Sequence, residues 1–150
     1  MAQSLAKNLL HLVFSTKNRQ PLFGNDIRPQ LHEDAGGILR NLDSNALIMN
    51  SVEDHLHVLF NLHRTKALSD VVMELKRGTS KWFKEQGSAY RAFYWQAGFG
   101  AFSVSASQTD CVAEYIAKQV EHHKKRSFQD EFRALLRAHE IEFDEKYVWE

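Results

Sequence analysis

Two short motifs carry side chains whose types and spacing suit metal-assisted chemistry on a phosphodiester. They are His55-Leu56-His57 and, further along the chain, Tyr115-Ile116-Ala117-Lys118-Gln119. Residues two apart on a β-strand point to the same side, so the two imidazoles would lie together. Residues four apart on a helix share a face, so the phenol and the amide would also lie together. If that helix lies beside that strand, the four groups can hold a divalent cation against a phosphodiester and attack it.

The histidine pair is the first half of the predicted metal site. Neutral imidazoles accept Mn²⁺, Zn²⁺, Ni²⁺ and, less readily, Mg²⁺. Two imidazoles leave coordination positions open for a neutral oxygen such as the Gln119 amide, for phosphate oxygens and for water. A cation held in this way acts as a Lewis acid and as a template. Each residue also has an ordinary structural interpretation, so the prediction depends on the joint pattern. His122 and His123, just beyond Gln119, are either competing ligands or a solvated helix end.

The elements that must position these residues alternate in the order β-α-β-β-α-β. This order predicts a ferredoxin-like α+β fold, a split β-α-β arrangement whose antiparallel sheet carries helices on one face. Leucine, valine and phenylalanine alternate with the histidine row in the third strand, so the apolar row should pack on those helices. The histidine row then faces the opposite, more open side, where the helix that bears Tyr115 is the natural cover. The predicted strands are 8–16, 46–49, 55–62 and 98–104, and the predicted helices are 25–41 and 68–85.

Two similar signatures predict additional helices at the C-terminal end. Ser107-Gln108-Thr109-Asp110 has the spacing of a capping box and predicts a helix over 108–125. Ser127-Phe128-Gln129-Asp130 repeats that spacing and predicts a last helix that ends near His139. The fold class is therefore a ferredoxin-like sheet with an added tyrosine-bearing helix and a final helix.

Composition indicates one globular domain over residues 1–150. The hydrophobic content of 43% and the charged content of 25% are ordinary for a soluble protein. No long apolar window or secretory leader is visible, and a single cysteine, Cys111, excludes an internal disulfide, so we expect a cytoplasmic protein without a membrane segment. The net charge of zero does not favour nucleic acid as a partner. The charge is uneven, however, because residues 130–150 contain seven acids and three bases.

The two motifs resemble those of the single-tyrosine HUH transposases, the IS200/IS605-type family that includes the REP-associated tyrosine transposases. His55-Leu56-His57 matches that family's His-hydrophobic-His motif, and Tyr115 to Gln119 matches its tyrosine motif. Further likeness lies in the segments 11–19, 95–104 and 119–128.

The resemblance implies a reaction and a set of roles. Tyr115 would attack single-stranded DNA, leaving a 5′-phosphotyrosine and a free 3′-hydroxyl. His55, His57 and Gln119 would bind Mg²⁺ or Mn²⁺. Members of the family act as homodimers and recognise imperfect DNA hairpins.

Basic residues are candidate contacts to the DNA backbone, with solvated helix faces as the alternative. The candidates are Lys76, Arg77, Lys81 and Arg126.

Two other functions are compatible with the pattern. The chain could be a non-cutting, ferredoxin-like nucleic-acid-binding protein for hairpins or repeats, or a hydrolase that uses water and employs Tyr115 only for packing. Only the tyrosine reaction predicts a covalent protein–DNA adduct that disappears in Tyr115→Phe.

Overall fold

The predicted order of elements is confirmed. The computed structural model describes residues 2–150. The first six elements are β1 (Leu9–Ser15), α1 (Arg28–Asn41), β2 (Ala46–Ser51), β3 (His55–Asn61), α2 (Leu68–Lys84) and β4 (Gly100–Val104). Three further helices follow, namely α3 (Thr109–Ala117), α4 (Gln119–His123) and α5 (Phe128–Ala138). None of the helices within residues 2–150 is both long and apolar enough to cross a bilayer.

The four strands form one antiparallel sheet in the order β2-β3-β1-β4. This is the order that a split β-α-β arrangement produces, and it confirms the ferredoxin-like prediction. The two central strands, β1 and β3, carry the histidines, and Val13 pairs with His57 across them. Central strands have hydrogen-bonded neighbours on both sides, so the backbone that carries the site is held on both edges.

The main hydrophobic core lies between the sheet and helices α1 and α2. The apolar row of β3 is completely buried there, as predicted, together with Leu12 and Phe14 of β1. Rings of Phe23, Phe83 and Phe93 stack in the same layer, with centroids 5.1 Å apart for the first pair and 4.2 Å for Phe83 and Phe93. This packing fixes which face of β3 points away from the core and therefore where the histidines point.

The opposite face of the sheet is covered by α3, α4 and α5. Smaller apolar clusters hold this layer in place, one around Val13, Phe102 and Phe132, the other around Leu59 and Ile116. His55 and His57 have no solvent exposure beneath it. The prediction that the Tyr115 helix covers the histidine row is confirmed, and α5 covers this face as well, so it is not the more open one.

The prediction of one continuous helix over 108–125 is also wrong. Helix α3 ends at Ala117, and Lys118 (φ −96°, ψ 20°) separates it from α4. The side-chain amide of Asn50 in β2 donates to the carbonyls of Ile116 (2.8 Å) and Ala117 (3.2 Å). It thereby satisfies acceptors that the end of a helix leaves without an intrahelical partner.

The two capping signatures have different outcomes. Ser107 makes no capping bond, because a short 3₁₀ turn over Ala106–Gln108 precedes α3. Ser127 does cap α5, and its hydroxyl accepts from the backbone N–H of Asp130 at 3.1 Å. The second cap fixes where α5 begins and hence which of its residues face the sheet.

Candidate active site

Three imidazoles converge on one carboxylate beneath the α3–α5 layer. Oε1 of Glu131 in α5 lies 3.0 Å from Nε2 of His57, 3.2 Å from Nε2 of His123 and 3.4 Å from Nε2 of His55. His55 and His57 meet there because residues two apart on β3 share a face. One ligand atom from each of the four residues lies within 4.8 Å of the others. We call these four residues the His₃Glu cluster.

Neighbouring side chains contact the Nδ1 atoms of the two strand histidines and orient their rings. Nδ1 of His55 lies 2.7 Å from a carboxylate oxygen of Asp54. Nδ1 of His57 lies 2.8 Å from Nε2 of His11, a buried residue of β1. Partners of this kind fix the ring orientation of metal-binding histidines. Both rings therefore direct Nε2 toward the centre of the cluster.

The pKa values of His55 and His57 are shifted in opposite directions. Burial, together with the nearby His55, lowers the pKa of His57 to about 4, although the hydrogen bond to Glu131 opposes this shift. Burial also acts to lower the pKa of His55, but the hydrogen bond to Asp54 and the adjacent carboxylate of Glu131 outweigh it and raise that pKa. Burial acts to raise the pKa of Glu131, yet the adjacent rings of His123, His55 and His57 hold it well below its usual range. At neutral pH, therefore, a buried carboxylate faces a neutral His57.

This donor set fits a divalent cation. Nε2 of His55 is buried and has no hydrogen-bond partner. Within residues 2–150, Glu131 has no lysine or arginine as an ion-pair partner, although it is 1% exposed. A buried carboxylate without a full counter-charge is costly. Imidazole nitrogens and a carboxylate oxygen are suitable ligands for Mn²⁺, Zn²⁺ and similar ions.

Tyr115 reaches the same carboxylate from α3. Its phenol donates a hydrogen bond to Oε2 of Glu131. Burial and the adjacent charge of Glu131 raise the pKa of the phenol. A phenol is a weak nucleophile while it keeps its proton. In this arrangement Tyr115 is protonated and held, and a change in the charge of Glu131 would directly affect it.

Gln119 is fully buried beside the cluster, although the helix breaks just before it. Its Oε1 lies 3.1 Å from Nε2 of His123. The structure thus brings together all four residues of the two sequence motifs, namely His55, His57, Tyr115 and Gln119. Their roles as ligands and nucleophile remain predictions.

Sequence reasoning missed Glu131 and His11 and left His123 undecided. Glu131 interrupts the apolar stripe that Phe128, Phe132 and Leu136 form on α5. His11 interrupts the apolar strand β1. In both cases the available signal was a polar residue at a position where the periodicity of the helix or strand predicts a buried, apolar side chain. His123 is no solvated helix end, since only 13% of its side chain is exposed.

The predicted DNA contacts lie in two different places. Lys76, Arg77 and Lys81 belong to α2, on the opposite face of the sheet from Tyr115. Nζ of Lys76 donates to the carbonyls of Gln96 (2.8 Å), Ala97 (3.2 Å) and Gly98 (2.7 Å). Arg126, by contrast, lines a cavity of 190 Å³ together with Arg19, Asp54 and His123. Only Arg126 lies beside the cluster.

Comparison with known proteins provides independent information on the family and the fold. The sequence pattern of the family described as "Transposase IS200 like" matches residues 4–119. This range includes the two motifs but ends before His123 and Glu131. No curated protein shows significant similarity to the chain.

Two solved structures share the fold. A candidate transposase from Deinococcus radiodurans R1 superposes with a TM-score of 0.62 at 17% identity, over 79% of this chain and 98% of that one. A REP-associated tyrosine transposase bound to a REP hairpin has a TM-score of 0.59 at 14% identity, over 82% of this chain and 73% of that one.

Proposed function

Because this chain belongs to the IS200-like transposase family, we propose that it is a metal-dependent transposase that cleaves and rejoins single-stranded DNA through Tyr115. One observation carries the proposal: the phenol of Tyr115 and three imidazoles converge on the same carboxylate, that of Glu131. A nucleophile and a set of metal ligands are thereby adjacent, as the attack on a phosphodiester requires.

The proposed reaction is an exchange of one ester bond for another. The phenolic oxygen of Tyr115 forms a bond to phosphorus, and the bond from phosphorus to the 3′ oxygen breaks. The phenol releases its proton, and the departing 3′ oxygen takes up a proton to become a free hydroxyl. The product is a 5′-phosphotyrosine. Since the covalent link conserves the ester bond, a later 3′-hydroxyl can reverse the step without ATP.

The remaining residues of the site bind and orient. His55, His57 and Gln119 are the proposed ligands of Mg²⁺ or Mn²⁺, and His123 and Glu131 offer further donor atoms in the same cluster. The bound ion would polarise the scissile phosphate. Asp54 and His11 hold the two strand histidines in place.

His11 also allows His57 to change tautomer. With Nε2–H of His57 donating to Glu131, Nδ1 accepts from His11. A cation at Nε2 requires the proton on Nδ1 instead, and Nε2 of His11 can accept it there. The pair therefore accommodates both the metal-free and the metal-bound tautomer of His57.

The proposed partner is a DNA hairpin with single-stranded flanks. The REP-associated tyrosine transposase that shares this fold is bound to a REP hairpin. In this chain Arg126 and Arg19 supply positive charge next to the cluster. Family resemblance further suggests a homodimer that acts in the cytoplasm.

A denaturing gel tests the reaction. Purified protein is incubated with end-labelled hairpin DNA from the flanks of its own gene, with Mn²⁺ or with EDTA. We expect a shifted, covalent band with Mn²⁺ that is absent with EDTA, in Tyr115→Phe and in His57→Ala. Tyr147→Phe is the matched control, because Tyr147 is exposed and does not belong to the cluster. Cleavage that survives Tyr115→Phe would indicate a water-using nuclease.

One observation favours the second candidate, a hairpin-binding protein that does not cut. Tyr115 is hydrogen-bonded to Glu131, and its pKa is raised. Tight binding with no adduct across several metals and flank sequences would support that candidate.

A further inference from the structure

A cavity of 550 Å³ opens beside Tyr115, and the reaction proposed above does not use it. It lies between the end of β4, helix α3 and helix α5, and both Tyr115 and His11 form part of its wall. We propose that this cavity binds one unpaired nucleobase of the DNA strand, next to the phosphodiester that Tyr115 attacks. The inference rests on the proposed function and adds a specificity site to it.

The position of the cavity connects it to the chemistry. Tyr115 forms part of the cavity wall, and its hydroxyl donates a hydrogen bond to Glu131 of the His₃Glu cluster. A nucleotide whose phosphate is attacked by that hydroxyl must place its own base, or the base next to it, close to the ring. The volume also falls within the range of about 300–1,000 Å³ that small-molecule sites occupy.

Rings form much of the wall. Phe102 and His139 stack with centroids 4.5 Å apart, and His11 contacts both Phe102 (6.0 Å) and Tyr115 (6.1 Å) edge-on. Proteins that recognise single strands stack unpaired bases on aromatic side chains and hydrogen-bond their edges. The same wall offers the hydroxyl of Ser105 and the amide of Gln108, which can donate or accept such bonds.

This cavity differs from the second cavity at the cluster in the charged residues that line it. The described residues that line it include no aspartate, glutamate, lysine or arginine. The 190 Å³ cavity on the His123 side contains charged residues of both signs, Glu53 and Asp54 with Arg19 and Arg126, and the two arginines suit a phosphate. A ring-lined cavity without these residue types instead suits the uncharged part of a nucleotide, its base.

Cys111 provides a direct probe, because it is the single cysteine of the chain, it is exposed, and it lines the cavity. The experiment uses full-length Tyr115→Phe protein, so that the DNA stays intact. The probe is a hairpin from the flanks of its own gene with single-stranded extensions, compared with the same hairpin carrying abasic sites throughout the extensions. Binding of both hairpins is measured by fluorescence anisotropy. The rate at which Cys111 reacts with a thiol reagent is then measured at a saturating concentration of each hairpin.

We expect the hairpin with bases to slow the Cys111 reaction by about tenfold when roughly nine-tenths of the cavity is occupied, since only free protein reacts. The abasic hairpin should bind and leave the rate nearly unchanged. Equal protection by both hairpins, or by neither, would overturn the nucleobase site while leaving the proposed transposase intact. Failure of both hairpins to bind would overturn both proposals.

A substitution that fills the cavity gives a second readout. Cys111→Phe places a ring at the exposed wall of α3 and should remove the difference in affinity between the two hairpins. Ser88→Phe is the matched control, because Ser88 is exposed and lies outside the cavity. The thiol measurement retains the native Cys111 and decides the proposal even if Cys111→Phe is unstable. An unchanged difference in folded Cys111→Phe would contradict it.

Discussion

The phenol of Tyr115 donates a hydrogen bond to Oε2 of Glu131, whose other oxygen faces the Nε2 atoms of three histidines. Helix α5 therefore connects the proposed nucleophile with the proposed metal ligands through one side chain. Neutralising the charge of Glu131 would act on both at once, since that charge raises the pKa of the phenol. The first prediction tests this connection on the metal side.

We predict that Glu131→Gln lowers the affinity for Mn²⁺ by at least about 10-fold to 100-fold, because an amide replaces a charged donor in the cluster. The measurement is isothermal titration calorimetry, supported by the rise in melting temperature on adding Mn²⁺. Wild type should gain about 2.7 kcal/mol of stability at a Mn²⁺ concentration 100 times Kd. Glu121→Gln, an exposed glutamate of α4, is the control. Unchanged affinity in Glu131→Gln would exclude this carboxylate as a ligand.

The proposed nucleophile and the histidines of one chain lie together, so we predict that each subunit of the proposed homodimer uses its own tyrosine. Mixed dimers of Tyr115→Phe and His57→Ala subunits should then form no covalent adduct. If the tyrosine of one subunit served its partner, one of the two sites in each mixed dimer would be intact. The gel assay with co-expressed, differently tagged subunits distinguishes these arrangements. Restored adduct formation would contradict the prediction.

His11 should make the metal-free protein less stable in weak acid. Burial, then the neighbouring His57, lowers its pKa from 6.5 in the unfolded chain to about 3. As pH falls below 6.5 the unfolded chain takes up a proton that the folded chain does not, so stability decreases. Between pH 7 and pH 5 this contributes a loss of about 2 kcal/mol.

Urea unfolding of His11→Gln at the two pH values checks this contribution. The glutamine amide can still bond to His57 but does not titrate, so the pH dependence should shrink by that amount. His63→Gln, outside this group of residues, is the control. An identical pH dependence in His11→Gln and wild type would refute the assignment.

Lys76 should act in folding rather than in DNA binding. Its three hydrogen bonds to the carbonyls of residues 96–98 fix the loop before β4. We predict that Lys76→Met destabilises the protein by about 1–3 kcal/mol and leaves the salt dependence of hairpin binding unchanged. The matched variant is Lys81→Met, because Lys81 is exposed on the same helix. A smaller salt slope in Lys76→Met would instead identify a phosphate contact.

Arg126, in contrast to Lys76, should act in DNA binding rather than in folding. We predict that Arg126→Ala weakens hairpin binding at all sequences and reduces the slope of log affinity against log salt by about one. Its melting temperature should be unchanged, since the side chain is exposed. Anisotropy titrations at several salt concentrations provide the measurement, with Arg64→Ala as the exposed control. An unaltered slope would show that Arg126 makes no phosphate contact.

The sequence was sufficient to predict the sheet and the convergence of the two motifs. Alternation along β3 assigns each side chain to a face without knowledge of the rest of the chain. The completion of the site was not predictable in the same way. Glu131 reaches the histidines because α5 crosses the sheet at one particular position, and no local pattern encodes that position. The break at Lys118 depends similarly on Asn50, which belongs to a distant strand.

The two faces of the sheet differ in how much apolar surface they bury. Sixteen buried side chains form the core under α1 and α2, whereas the layer over the histidines has clusters of five and three. Segments with few apolar contacts open at a lower free energy than the whole domain. We therefore expect amide hydrogens of α3 to α5 to exchange through local unfolding, while those of β1 and β3 exchange only when the entire chain unfolds. The least stable layer of the protein thus covers the candidate active site, and we expect its brief detachment to be the route by which DNA would reach histidines that have no exposure in the closed chain.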